Sequence, residues 1–275
     1  MDFDAYITDL DGPDGSGRRP ENRVVVARTD STNRLTRRVV AAYREEEMTP
    51  PHLLVLALEQ TAGRGRRGRS WHSPPGAGVY ATRLLPVAGQ DQLRTVPLLA
   101  AAGLARAVRA LLPDGDCGLE WPNDLVVGGR KLGGVLVESV ARADGGALAM
   151  IGFGVNHRFE GDSAPPDELH ATSLADALGD PPSLGSVTRA LVDGLERALE
   201  RVGDVAHAIA LFRELSVHRA GDPIRCRTGD EVVTGTFAGF DDRGFLRLDR
   251  NGEERLIPAG EIIEPLAGTV EEDAP

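Results

Sequence analysis

Cysteine is nearly absent from this 275-residue chain, which has Cys117 and Cys226 and no other. The two lie far apart without metal-ligand spacing, which excludes a disulfide scaffold and a cysteine-ligated zinc site and points to free thiols in a reducing cytoplasm. Long apolar runs are missing as well, so the sequence offers no membrane-spanning segment. The N-terminus, Met1-Asp-Phe-Asp-Ala-Tyr6, is acidic and lacks the apolar core of a signal peptide. Basic residues are outnumbered, 31 Lys+Arg against 42 Asp+Glu for a formal net charge of −11. That balance argues against a broad basic face for nucleic acid, so no DNA partner is expected. What remains, 41% hydrophobic and 27% charged, is the composition of an ordinary globular protein of one large domain or two small ones.

Against the acidic background, residues 64–69 hold four arginines and two glycines within Gln60-Thr-Ala-Gly-Arg-Gly-Arg-Arg-Gly-Arg-Ser-Trp71. Guanidinium groups on a nearly side-chain-free backbone suit a phosphate or carboxylate ligand, although a charge run of this kind also makes a plain solvated loop. The spacing Gly63-x-Gly65-x-x-Gly68 matches a dinucleotide-binding fingerprint, which requires a strand, a turn and then a helix. Leu53-Leu-Val-Leu-Ala-Leu-Glu59 supplies the strand. Pro74, Pro75, Gly76 and Gly78 forbid the helix, so the Rossmann reading fails.

Elsewhere the periodicity places a first strand at 24–27, helices over 95–112, 186–202 and 205–215, and strands over 131–140 and 147–155 joined by a turn at Asp144-Gly-Gly146. Thr95 is read as a cap, Pro97 as a first-turn residue, and Pro113 with Asp114-Gly-Asp116 as the stop. Residues 1–20, with the breaker-rich stretch 11–19, are expected to be a mobile arm too short for a helix-turn-helix domain. From 219 to 267 short strand-like runs alternate with turns at Gly229-Asp230, Asp242-Arg-Gly244 and Asn251-Gly252, the pattern of a separate small barrel. Its arginines (225, 227, 243, 247, 250 and 255) alternate with acidic neighbours and read as a solvated face. The tail 268–275 is acidic and expected to be disordered.

Three further segments carry candidate chemistry. Lys131, in Arg130-Lys-Leu-Gly-Gly-Val-Leu-Val-Glu138, sits before glycines that would leave a strand face bare for a ligand; it reads equally as a surface lysine beside the Gly128-Gly129 turn. Asn123 and Asp124 follow Trp121-Pro122 and either orient a metal-bound phosphate or an incoming lysine or merely cap the turn. Ser31, Thr32 and Asn33 offer hydroxyl and amide groups, and they also cap a helix starting near Arg34. Trp71 packs under the arginine loop or belongs to the core. The six histidines show no paired metal spacing and receive no role.

Asp30-Ser-Thr-Asn33, the arginine loop, Trp121-Pro-Asn-Asp124, 130–138 and Gly152-Phe-Gly-Val-Asn156, in this order and spacing, resemble the catalytic domain of biotin protein ligases over roughly residues 22–266. The resemblance implies an α+β fold: a mixed or antiparallel sheet with flanking helices, like that of class II synthetases, over 21–218, then an SH3-like barrel over 219–267. It implies ATP-dependent activation of biotin to biotinyl-5′-AMP, with Mg2+, and transfer to a lysine of a biotin carboxyl carrier domain. Lys131, Arg66, Asn123 and Asp124 then carry the chemistry. Ser31, Thr32, Asn33, Gln60, Gly63, Arg64, Gly65, Arg66, Arg67, Trp71, Lys131, Gly134 and Gly154 bind biotin or its adenylate, and no protein metal site is expected. The loop is expected to be mobile when empty and to order over the intermediate. The chain departs from the family at Glu120, where a basic residue is usual. Two alternatives stand beside this one: a lipoate–protein ligase of the same fold, and a non-catalytic sensor of biotinyl-AMP.

Overall fold

Leu53–Gln60, the strand expected from its continuous apolar run, is apolar on both sides because it is covered on both sides. Leu53 and Val55 join Leu84, Leu148 and Met150 in one cluster, while Leu54, Leu56 and Leu58 join a second and larger one. Successive side chains of a strand point to opposite faces, so a strand covered on both cannot alternate apolar with polar. The computed structural model describes residues 3–11, 22–112, 115–161, 165–166 and 170–263. Residues 12–20 of the expected arm, Pro113, Asp114 and the acidic tail lie outside the described residues.

The elements run α1 (Phe3–Asp11), β1 (Asn22–Thr29), α2 (Thr32–Glu45), β2 (Leu53–Gln60), a 3-10 turn (Arg66–Gly68), β3 (Gly78–Val87), α3 (Gln90–Leu111), β4 (Gly118–Glu120), β5 (Asp124–Val127), β6 (Arg130–Ala141), β7 (Ala147–Asn156), α4 (Leu174–Leu178), α5 (Leu184–Leu199) and α6 (Val205–Leu215). β1 to β7 form one sheet in the order β1-β2-β3-β7-β6-β5-β4. β1 and β2 are parallel and every other neighbouring pair is antiparallel, so the sheet is mixed and the class is the expected α+β. On one face α2 packs Leu35, Val39 and Val40 against the smaller cluster. On the other face α3 lies against β6 and β7 with α5 and α6 beside it.

Two expectations about the helical layer need correction. Phe3–Asp11 is a helix, not part of a mobile arm: Tyr6 and Leu10 are buried against α5, and the Tyr6 hydroxyl donates to Thr188 at 3.3 Å. The third helix starts at Gln90 rather than Thr95, which leaves Pro97 inside it. Thr95 is no cap; its hydroxyl donates to the Gln92 carbonyl at 2.8 Å and accepts from the Gly203 amide at 3.0 Å. The Thr-x-Pro signal imitates a start, whereas the real first turn is polar and lacks apolar periodicity. β3 carries no recognisable strand signal, since it contains the buried Thr82 and Arg83 and the half-buried Pro86 of a central strand. An ion pair at 2.6 Å to Glu196 of α5 is what lets Arg83 be buried.

β8 (Pro223–Thr228), β9 (Glu231–Phe240), β10 (Leu246–Arg250), β11 (Glu253–Ile257) and β12 (Glu261–Ile262) form the C-terminal SH3-like module, an antiparallel sheet in the order β11-β10-β9-β8-β12. The Asn251-Gly252 turn has both φ angles positive, 59° and 89°, the two-residue hairpin geometry that this dipeptide favours. The strands are separate, but the core is not. Ile224, Phe237, Phe240 and Leu246 belong to the same apolar cluster as Trp121 and Phe212, and the Phe212 and Phe240 rings meet edge-on at 5.4 Å.

α3 and α5 touch at Gly103 and Gly194, where a Cβ on either would stand 2.7 Å from the other's carbonyl oxygen. Gly194→Ala is expected to force the helices apart at a cost of about 1–3 kcal/mol, read as a lowered midpoint in urea unfolding. An unchanged midpoint would show that this crossing has slack.

Candidate active site

A cavity of about 460 Å3 opens on the β5–β6–β7 part of the sheet, under the arginine loop and beside the C-terminal module. Ser31, Thr32, Asn33, Gln60, Arg64, Gly65, Arg66, Trp71, Asn123, Asp124, Lys131 and Gly134 all line it, although they come from segments spread over a hundred residues. Three residues assigned to the ligand stand behind the wall. Gly154 lies under the Trp71 indole, where an added Cβ would be 2.5 Å from Nε1. Gly63 lies where the loop folds back, and a Cβ there would meet the Trp71 carbonyl at 2.5 Å. Arg67 points away from the cavity onto the C-terminal module.

The polar floor is interlocked. The Gln60 side-chain carbonyl accepts from the Thr32 amide at 2.9 Å, and its amide donates to Ser73 at 3.0 Å. Asn33 donates to Glu138 at 2.9 Å and accepts from the Thr82 hydroxyl at 2.6 Å, so both ends of its amide are engaged within the protein. Gly152 makes room for this, since a Cβ there would stand 2.3 Å from the Asn33 carbonyl oxygen. Ser31 is the N-cap position of α2, yet its hydroxyl makes no capping bond and faces the cavity instead.

The arginine loop is folded as a narrow turn closed by Gly65 N–H to Arg69 C=O at 2.8 Å and Trp71 N–H to Gly63 C=O at 2.9 Å. No α-helix follows it, in keeping with the failed dinucleotide motif. Both ends are tied by carboxylates. Arg64 pairs with Glu138 of β6 at 3.1 Å, and Arg69 pairs with Glu261 of β12. Between them Arg66 donates to the Asn123 side-chain carbonyl at 3.0 Å and to the Gly260 carbonyl at 3.3 Å. Arg67 donates to the carbonyls of Arg227 at 3.0 Å and Ala259 at 3.4 Å. The loop thus bridges the catalytic sheet and the small module. Glu138 and Glu261, which hold it, were not singled out from the sequence.

Lys131 reaches Asp124 with Nζ 2.5 Å from Oδ2 and lies 5.6 Å from the centre of the Trp71 ring. Its backbone is fixed on the outer side by the 170s segment, donating to the His170 carbonyl and accepting from the Thr172 amide, each at 2.9 Å. Gly134 faces Asp124 across the β5–β6 pair, and a Cβ would come within 3.0 Å of Oδ1. Asn123 donates to the Val135 carbonyl at 2.7 Å. Trp121 is fully buried, its peptide to Pro122 is cis, and its indole donates to the Gly244 carbonyl at 3.3 Å. The residue that positions this corner is a histidine: Nε2 of His218 accepts from the Trp121 amide at 3.0 Å. An acceptor Nε2 leaves the proton on Nδ1, and burial pulls the pKa down to about 4.

The sequence profile of the Biotin/lipoate A/B protein ligase family matches residues 25–156, and that of the biotin protein ligase C-terminal domain matches residues 221–263. The chain is 31% identical over 245 residues to a biotin–[acetyl-CoA-carboxylase] ligase of Paracoccus denitrificans, covering 87% of this chain and 99% of that one. The chain belongs to the biotin protein ligase family. This ligase is also 33% identical over 217 residues to the bifunctional ligase/repressor BirA of Bacillus spizizenii, covering 78% of its own length and 66% of that protein. Its fold matches the biotin protein ligase of Aquifex aeolicus solved with biotin and ATP, with a TM-score of 0.70 at 23% identity over 88% of this chain and 97% of the other.

Glu120 ends β4 opposite Asp124 and lines the ligase cavity. Burial, together with the nearby Asp124 charge, pushes its pKa up to about 7, offset in part by Lys131. A carboxyl with a raised folded pKa contributes stability that is complete below its unfolded value and is lost as the pH rises through the folded one. Glu120→Gln is therefore expected to gain melting temperature relative to the parent as pH rises from about 4.5 to about 7, with little difference below that window. A melting difference independent of pH would show that Glu120 does not titrate there.

Proposed function

We propose that this ligase joins biotin to AMP and hands the biotinyl group to a lysine of a carrier protein, both in the cavity under the arginine loop. The observation that carries the reading is the convergence of Lys131, Arg64 and Arg66 over a floor of glycine and committed polar groups. An adenylate needs cations at its phosphate, close backbone approach and protection from water.

In the first step a biotin carboxylate oxygen bonds to the α-phosphorus of ATP and pyrophosphate leaves. Lys131 offsets the charge where the two anions meet, and Asp124 aims its ammonium. Arg66, held by Asn123, covers the phosphate side, and Arg64, held by Glu138, closes the other end. Ser31 offers a free hydroxyl to the ureido ring, while Thr32, Asn33 and Gln60 shape the floor, since their own groups are already bonded. Trp71 supplies an apolar wall. Gly63, Gly154 and Arg67 act behind the wall, the glycines by making space and Arg67 by tethering the loop. In this reading the loop is the lid that keeps the mixed anhydride from water.

Mg2+ accompanies ATP as a charge-neutralising ion. Among the described residues no group of three or more His, Cys, Asp or Glu gathers to cage a metal. No step is routed through the ion. The acceptor is a biotin carboxyl carrier domain. The net charge of −11 supports a protein rather than DNA as the partner. No helix among the described residues is long and apolar enough to cross a membrane. The buried free thiols Cys117 and Cys226 support a place in the reducing cytoplasm.

Biotin is expected to drive ATP–pyrophosphate exchange and lipoate far less; equal exchange with both acids would overturn the substrate assignment. Lys131→Ala removes one charge-stabilising contact, an expected loss of about 3 kcal/mol in adenylation, measured as exchange rate. Arg66→Ala is expected to shed biotinyl-AMP faster and to label stray lysines. Retention equal to the parent's would remove the lid from the mechanism.

A further inference from the structure

The carboxylates on and around the cavity have unequal fates. Asp124 is taken by Lys131 at 2.5 Å, Glu261 by Arg69, and Glu138 by Arg64 and Asn33. Glu120 is different: it lines the cavity, and no described residue donates a hydrogen bond or forms an ion pair to its carboxylate. The charged groups facing it are Asp124 from β5, Lys131 from β6 and Glu261 from β12, with Arg66 and Arg227 on the same wall. It stands beside the Asp124–Lys131 pair, the place where the carboxylate and phosphate meet in the proposed reaction.

From this geometry we infer that Glu120 is the general base of the transfer step, taking the proton of the carrier lysine. The inference rests on the two-step reaction proposed above. A lysine side chain arrives as an ammonium, because its own pKa is about 10, and an ammonium has no lone pair for attack. One N–H proton moves to the Glu120 carboxylate and frees the lone pair. The nitrogen then bonds to the acyl carbon of biotinyl-AMP, the bond from that carbon to the phosphate oxygen breaks, and AMP leaves with the electron pair. A second proton leaves the nitrogen to solvent, giving the neutral amide. Glu120 regains its charge by releasing its proton to water. The neighbouring carboxylates are neutralised by their own partners, so Glu120 is the one with capacity for the incoming cation. A base held near 7, chiefly by burial and secondarily by the Asp124 charge, is half ionised near neutral pH.

Single-turnover transfer from the isolated full-length enzyme carrying biotinyl-AMP tests this, with two nucleophiles compared. One is a biotin carboxyl carrier domain; the other is hydroxylamine, whose nitrogen is already neutral near pH 7 and needs no base. Glu120→Gln is expected to slow transfer to the carrier about 100-fold at pH 7. It should also erase the rise in rate centred near pH 7 and leave a rate that climbs only toward the lysine's own pKa. Discharge by hydroxylamine should change far less. Glu120→Asp, which keeps a carboxylate, should retain an inflection and is read in its place if the glutamine variant does not load. An unchanged carrier rate and pH profile would overturn the assignment, as would equal loss with both nucleophiles or equal loss in pyrophosphate exchange. Failure of the unsubstituted enzyme to form biotinyl-AMP at all would strike the reaction itself rather than Glu120.

Discussion

The structure depends on a strip of sheet without side chains. Gly134, Gly152 and Gly154 lie on one face of β6 and β7, and a Cβ on Gly152 or Gly154 would come within 2.5 Å of a side chain packed over them. Gly152 would meet the Asn33 amide and Gly154 the Trp71 ring. The bare strip lets α2 bring its polar N-terminus down to the sheet and lets the arginine loop lie flat across it. Every polar contact of the floor follows from that approach. A side chain costs the same van der Waals overlap whether it is polar or apolar, so neither Gly152 nor Gly154 has room for one.

Charge is organised by the same economy. A protein with a net charge of −11 concentrates four arginines in residues 64–69 and then ties most of them to acceptors. Arg64 and Arg69 are consumed by Glu138 and Glu261, and Arg67 by main-chain oxygens. The pairs are partly exposed and each contributes little to stability, but they fix where the guanidinium planes stand. Pre-placed dipoles and charges need no rearrangement when a phosphate arrives.

Legibility in the sequence followed the range of the interactions. Elements defined by their own periodicity, such as β2, β6, β7 and α6, were readable almost to the residue, because local pattern and tertiary position agree there. β3 was invisible, since its Arg83 is reconciled to burial by Glu196, more than a hundred residues away. α1 was misread because its burial depends on α5. The cavity residues were recognised through the order of five short motifs, whereas Glu138, Glu261 and His218 act by long-range contact and carry no local sign. Of the histidines, His218 does hold the Trp121 corner. Arg227 is exposed as the solvated-face reading expects, and it also stands on the cavity wall, where its main-chain carbonyl accepts from Arg67. Arg243, Arg247 and Arg255 fit that reading through exposed pairs with Asp241, Glu254 and Glu231.

Arg67 grips the C-terminal module by main-chain oxygens alone, those of Arg227 and Ala259. A carbonyl is present whatever amino acid supplies it, so this half of the latch makes no demand on residue identity at either position. Mutation can rewrite the module's exposed side chains while the grip on the arginine loop persists as long as the backbone keeps its course. The tie between the arginine loop and the module is thereby uncoupled from the module's surface chemistry.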